Sequence, residues 1–121
     1  MTDPHELGKS GEDLASAYLR EKGYRIAFKN WRWGKHEIDI IAENDEYIVF
    51  VEVKTRSRDF MVDLNTVISR SKQQSIVTAA DGYIRRFGVD KTARFDLITI
   101  IGSGKDQNME HIEDVFYVTL R

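Results

Sequence analysis

The sequence contains no cysteine and a single proline, Pro4. Without thiols there are no disulfides and no thiolate metal sites. Any metal is therefore held by carboxylates, backbone carbonyls, water or one of the three histidines. Oxygen-rich ligand sets of that kind favour a hard cation, magnesium or manganese. Proline-rich linkers, low-complexity tracts and internal repeats are also missing, and 121 residues read as one domain, 1–121. A chain of that length buries enough surface for a core without staples. No apolar run approaches the eighteen or so residues of a membrane span. The longest, Tyr47 to Val51, is strand-sized. The first residues lack the basic-then-apolar pattern of a signal peptide, so the expectation is a soluble, cytoplasmic chain without a membrane partner or an organic cofactor. A basic excess is lacking as well: the formal charge is −2, unlike the usual footprint of a nucleic-acid binder. Carboxylates gathered at a metal site would account for part of that deficit, because a bound ion neutralises them.

What is present is patterned. Leu7, Gly11, Leu14, Ala15 and Tyr18 follow helical spacing between about Glu6 and Lys22, and Gly23 supplies a stop. Tyr24 to Trp31 reads as extended, Glu37 to Ala42 as a strand, and Tyr47 to Lys54 as the strongest strand in the chain. Arg56 to Asn65 reads as irregular and charged. A second helix is expected from about Thr66 to Arg86, closed by Gly88, then a strand from Ala93 to Ile101 and a last strand or strand pair within Glu110 to Leu120. That order predicts an α/β fold, a mixed sheet with helices against its faces.

The chemistry concentrates on the strongest strand. Alternation puts Val49, Val51 and Val53 on one face and Phe50, Glu52 and Lys54 on the other. A nearly continuous apolar strand is central and covered on both sides, where charges are rare unless paired or bound to metal. On the preceding strand Glu37 and Asp39 are expected to point one way, Ile38 and Ile40 the other. An antiparallel pairing through Glu43 to Glu46 would bring Asp39 near Glu52. Two carboxylates and a lysine at one sheet edge can hold a divalent cation and activate a water, with the lysine steadying that water or the charge on a phosphate. The bland alternative is a surface hairpin with cross-strand ion pairs.

Glu12, at the edge of the first helix's apolar stripe, either reaches over the sheet toward those acids or is a solvated first-turn carboxylate. Lys72 falls on the core-facing stripe of the second helix, one turn from Ile68 and from Ile76, and either snorkels outward or reaches the carboxylates. Asp96 either faces the same cluster or only pairs with Arg94. His5, His36 and His111 show no zinc spacing, and Gly8-Lys9-Ser10 lacks the upstream glycine and strand of a phosphate loop. Trp31, Trp33 and Tyr24 lie among Arg25, Lys29, Arg32 and Lys35, a mixture able to stack on bases though core packing explains aromatics more often. Arg32, Lys35, Arg56 and Arg58 are the candidate nucleic-acid contacts.

Several ordered motifs resemble one family. Gly11-Glu12-Asp13-Leu14-Ala15, Tyr18-Leu19, Gly23-Tyr24 and Asn30-Trp31-Arg32 are followed by Glu37-Ile38-Asp39-Ile40-Ile41-Ala42 and Phe50-Val51-Glu52-Val53-Lys54-Thr55-Arg56. Lys72, Ala79-Ala80 and Arg94-Phe95-Asp96 complete the set. Together they resemble the small bacterial YraN-like proteins, which are similar to archaeal Holliday-junction resolvases and to the restriction-endonuclease-like, PD-(D/E)xK, superfamily. The resemblance implies a three-layer α/β/α fold around a mixed sheet and a magnesium-dependent (or manganese-dependent) endonuclease acting on DNA, branched DNA included, as a homodimer. It implies Asp39 and Glu52 as metal ligands, Lys54 as the residue serving the attacking water, Glu12 completing the cluster, and Glu37 and Lys72 as supporting residues. The competing expectation is a nucleic-acid-binding or scaffold protein that keeps the fold with little catalysis.

Overall fold

The computed structural model describes residues 4–56, 68–102 and 107–115, with side chains from Gly11 onward. The elements are α1 (Pro4–Glu21), β1 (Arg25–Trp33), β2 (His36–Glu43), β3 (Tyr47–Arg56), α2 (Arg70–Phe87), β4 (Thr92–Ile101) and β5 (Asn108–Ile112). The helix–three strands–helix–strand sequence matches the expected order. Residues 57–67 and 116–121, which include Arg58, most of the Arg56 to Asn65 stretch and the end of the last predicted strand, lie outside the described residues.

Among the described residues, five strands form one sheet in the order β1-β2-β3-β4-β5. β3 and β4 are parallel, and every other neighbouring pair is antiparallel. The parallel pair requires a crossover, and α2 lies within that connection. β3 and β4, flanked on both edges, carry the densest apolar runs, as central strands should.

Each face of the sheet has its own core. On one, Ile76, Ala79, Ala80 and Tyr83 of α2 pack against Ile38, Ile41, Ile48, Phe50 and Leu97. On the other, Ala15 and Leu19 of α1 pack against Ile40, Ala42, Val49, Val51, Ile98 and Ile100. From Gly11 onward, the helical stripes predicted from spacing are the faces buried, giving an α/β/α layering.

Both helices end on left-handed glycines. Gly23 has φ 98°, and after it the Tyr24 amide returns to the Leu19 carbonyl. Gly88 has φ 60° and its amide donates to Ile84, satisfying carbonyls that a helix end leaves open. α2 begins at Arg70 rather than near Thr66 because Ser69 caps it, its hydroxyl accepting from the Lys72 amide. The last described strand starts at Asn108, two residues before the predicted Glu110.

One expectation fails. Ile38 and Ile40 do not share a face: Ile38 packs with Ile41 on the α2 side and Ile40 packs on the α1 side. The two-residue alternation of β2 therefore slips once, at Asp39. A second irregularity, between Ile26 and Phe28, shifts the β1–β2 register, as a bulge does.

Candidate functional site

The slip at Asp39 coincides with the end of a ladder. β2 and β3 pair from Glu43↔Ile48 to Ile40↔Val51 and no further. The next step in that register would set Asp39 opposite Glu52, as the antiparallel expectation required. Instead the Asp39 carboxylate takes over a backbone role: its Oδ2 accepts from the Val53 amide at 2.9 Å. A side chain substitutes for a strand at the point where the two chains part, and the acid is thereby held by main chain.

Glu52 follows Phe50 onto the α2 side of β3. Its side chain is only 5% exposed, and its Oε2 is buried without a hydrogen-bond partner among the described residues. Two ammonium groups stand near it. Lys54 Nζ lies 3.9 Å from Oε1 and Lys72 Nζ, from the first turn of α2, 3.7 Å from Oε2. These distances bring Coulomb attraction without a hydrogen bond. Burial raises the Glu52 pKa from 4.5 to about 8, with further upward contributions from the Asp39 charge and the side-chain hydrogen bond to Asp39. Lys72 and Lys54 pull it down and do not win. A buried acid with an unsatisfied oxygen beside a second acid is costly.

Glu12 comes from the other side. Gly11 makes this approach feasible, because a Cβ there would meet Thr55 Cγ2 at 2.1 Å. α1 therefore rides directly on the end of β3, two residues past Val53. Glu12 is half-buried, and its pKa is raised by burial first and by the Asp39 charge second; Asn30 and Lys29 oppose the shift, while Glu37 adds to it. Glu12, Glu37, Asp39 and Glu52 thus share one electrostatic neighbourhood. Among the described residues, however, no three acids or histidines are gathered closely enough to ligate one ion. The donor set nearest to completion is Asp39 and Glu52.

The other predicted residues divide. Lys72 reaches the acids, as one of its two readings required. Glu37 is paired with Arg32 at 3.0 Å, its direct partner across the β1–β2 ladder. Arg56 donates to the Thr55 carbonyl. Lys35 lines a polar cleft with His36. The tryptophans pack: Trp31 lies against the α2-side core, and a Cβ at Gly82 would fall 2.5 Å from the Trp33 ring.

Asp96 faces away from the acids, on the α1 side, and pairs with Arg94 as the second of its two readings had it, within a larger buried network that the spacing did not show. Arg94 donates Nε to Oδ1 at 2.9 Å and NH2 to Oδ2 at 2.8 Å of Asp96, a bidentate pair. The same guanidinium donates to the Tyr24 hydroxyl at 2.6 Å and lies over the Tyr47 ring at 4.8 Å. His111 bridges Asp96 Oδ2 and the Tyr18 hydroxyl through its two ring nitrogens, and the Asp114 amide donates to Oδ1. Burial alone would raise the Asp96 pKa, but the hydrogen bonds from His111, Arg94 and Asp114 outweigh it and hold it below 3.8. Two charged residues at i and i+2 in an otherwise apolar strand were the available signal.

With this geometry in place, comparison with known proteins gives a family. The profile described as "Uncharacterised protein family UPF0102" matches residues 11–100. The chain belongs to the UPF0102 family. A UPF0102 protein of Parabacteroides distasonis is 40% identical over 121 residues, all of both chains. One of Bacteroides thetaiotaomicron is 42% identical over 120 residues, 99% of each chain, and one of Phocaeicola vulgatus 41% over 117 residues, 97% of each. The matched span runs from Gly11 through Ile100 and so contains Glu12, Asp39, Glu52, Lys54 and Lys72.

Proposed function

We propose that this UPF0102 protein is a metal-dependent endonuclease of the restriction-endonuclease-like, Holliday-junction-resolvase-like type, hydrolysing phosphodiester bonds in DNA in the cytoplasm as a homodimer. One observation carries the reading: Glu52, almost fully buried, keeps an unsatisfied oxygen beside Asp39 with two lysines just out of hydrogen-bond range. A structural ion pair would have closed those gaps.

The donors present fit a hard divalent cation. Asp39 and Glu52 would hold magnesium or manganese through carboxylate oxygens. Bound there, such an ion would supply a water of lowered pKa and positive charge beside the phosphate. The protein's own contribution is positional. The Val53 amide fixes Asp39. Lys54, two residues beyond Glu52 on the same face, orients the attacking water and offsets charge that develops on the phosphate. Lys72 offers a second cation from α2, and Glu12 borders the site from α1 as a holder of water.

A second reading has an observation in its favour. Because the described acids do not gather in threes, a nucleic-acid-binding or scaffold protein with little catalysis also suits this geometry. Cleavage of fluorescent four-way junction, flap, single-stranded and duplex DNA in magnesium, manganese or EDTA decides between them. Metal-dependent cutting is expected from the wild type and none from an Asp39→Asn, Lys54→Ala double variant. Binding without cutting by folded wild type would overturn the nuclease and leave the scaffold.

A further inference from the structure

Along α2 from Lys72, an open cleft of about 370 Å³ lies between the helix and the β1–β2 turn. Lys35 and His36 line it from the turn, and Ser71, Gln74, Ser75 and Thr78 from the helix. All six described side chains that line it can donate hydrogen bonds, and among these described residues none is a carboxylate, in a chain whose formal charge is −2. His36 Nδ1 and Ser75 Oγ meet at 2.6 Å across the cleft and fix its walls. The Thr78 hydroxyl is turned to the Gln74 carbonyl. Lys35 is exposed, and no described carboxylate pairs with it.

The cleft's place matters as much as its lining. Ser71 precedes Lys72 and Ser75 lies one turn beyond it, so the helix that brings a lysine to Glu52 also carries these hydroxyls. His36 stands three residues before Asp39 on β2, roughly 10 Å of strand. A nucleic-acid strand, with a phosphate about every 3.4 Å of axial rise, covers that distance in about three phosphates.

We propose that this cleft is a subsite for the sugar-phosphate backbone of the nucleic-acid strand whose bond is cut at Asp39 and Glu52, holding a phosphate a few nucleotides along from the reacting one. The proposal rests on the endonuclease reading and adds to it where the strand runs: past Lys72, between α2 and the β1–β2 turn.

The test is anisotropy of fluorescein-labelled single-stranded and duplex oligonucleotides in EDTA, as a function of salt. The full chain is compared with Lys35→Ala, a His36→Ala, Ser75→Ala double variant, and Arg20→Ala on α1 as a charge-matched control. Thermal melts of all four are recorded alongside. Lys35→Ala is expected to weaken binding about 3–10-fold at low salt and to reduce the logarithmic salt slope by about 0.7–0.9, one phosphate contact. The double variant weakens binding with the slope retained, and Arg20→Ala changes neither. Trp31 and Trp33, the only tryptophans in the chain, give an independent emission signal because both stand beside the turn. Wild-type binding that the cleft variants keep, with the same slope, overturns the subsite and leaves the acidic pair standing. No binding by wild type overturns the subsite, and manganese titration followed by paramagnetic resonance then decides whether Asp39 and Glu52 hold a cation and the endonuclease reading stands.

Discussion

The sheet buries a carboxylate on each face, and the two are treated in opposite ways. Asp96, on the α1 side, receives two bonds from Arg94, one from His111 and one from a backbone amide. Glu52, on the α2 side, has lysines nearby but an oxygen with no hydrogen bond among the described residues. The first is a closed account of charge, with its pKa held down; the second is open, with its pKa driven up to about 8. Buried charge is tolerated in a fold when its partners are complete. Where they are incomplete in a well-packed strand, the group is a candidate for function.

The comparison can be broken most severely at Asp96. Asp96→Ala strands Arg94 in a site where its side chain is 10% exposed, and is expected to cost about 3–5 kcal/mol in denaturant unfolding. A loss under about 1 kcal/mol would mean that the network is ornamental.

Gly11→Ala, which drives a methyl into Thr55, should cost about 1–3 kcal/mol. Thr55→Ser removes the clashing methyl and should recover most of it. Failure of that rescue would show that α1 does not owe its seat to this contact.

Glu52→Gln should act in the reverse sense. It removes a charge that the fold does not satisfy, so in EDTA at pH 8 the variant should be more stable by about 1–2 kcal/mol while losing metal-dependent activity. If it is less stable, Glu52 is structural.

The same contrast has two pH limbs. The folded pKa of Asp96 is depressed, so its contribution is complete above 3.8 and is lost as pH falls through the lower folded value. That of Glu52 is raised, so its contribution is complete below 4.5 and is lost as pH rises through about 8. Melting temperatures from pH 3 to 9 should therefore fall at both ends, with Asp96→Asn flattening the acid limb and Glu52→Gln the alkaline one.

Much of this was legible in the sequence, for local reasons. Glycine stops, the Tyr47-to-Lys54 strand and the two helical stripes record short-range rules, and the Glu52–Lys54 spacing placed both on one face. The α1-side network was not legible, because it joins Tyr18 to His111 across 93 positions and depends on the register of β5. The slip at Asp39 was hidden for another reason. Alternation assumes that strands pair along their whole length, and here a side chain ends the pairing. The cleft likewise depends on how the β1–β2 turn sits against α2, which no single motif encodes.

The anchoring of Asp39 has an evolutionary consequence. What grips the acid is an amide, present whichever residue other than proline occupies position 53. Selection can therefore retune the apolar packing of that position without loosening the carboxylate, and only proline, which removes the donor, would cut it adrift. A feature held in this way drifts slowly even when its surroundings drift fast.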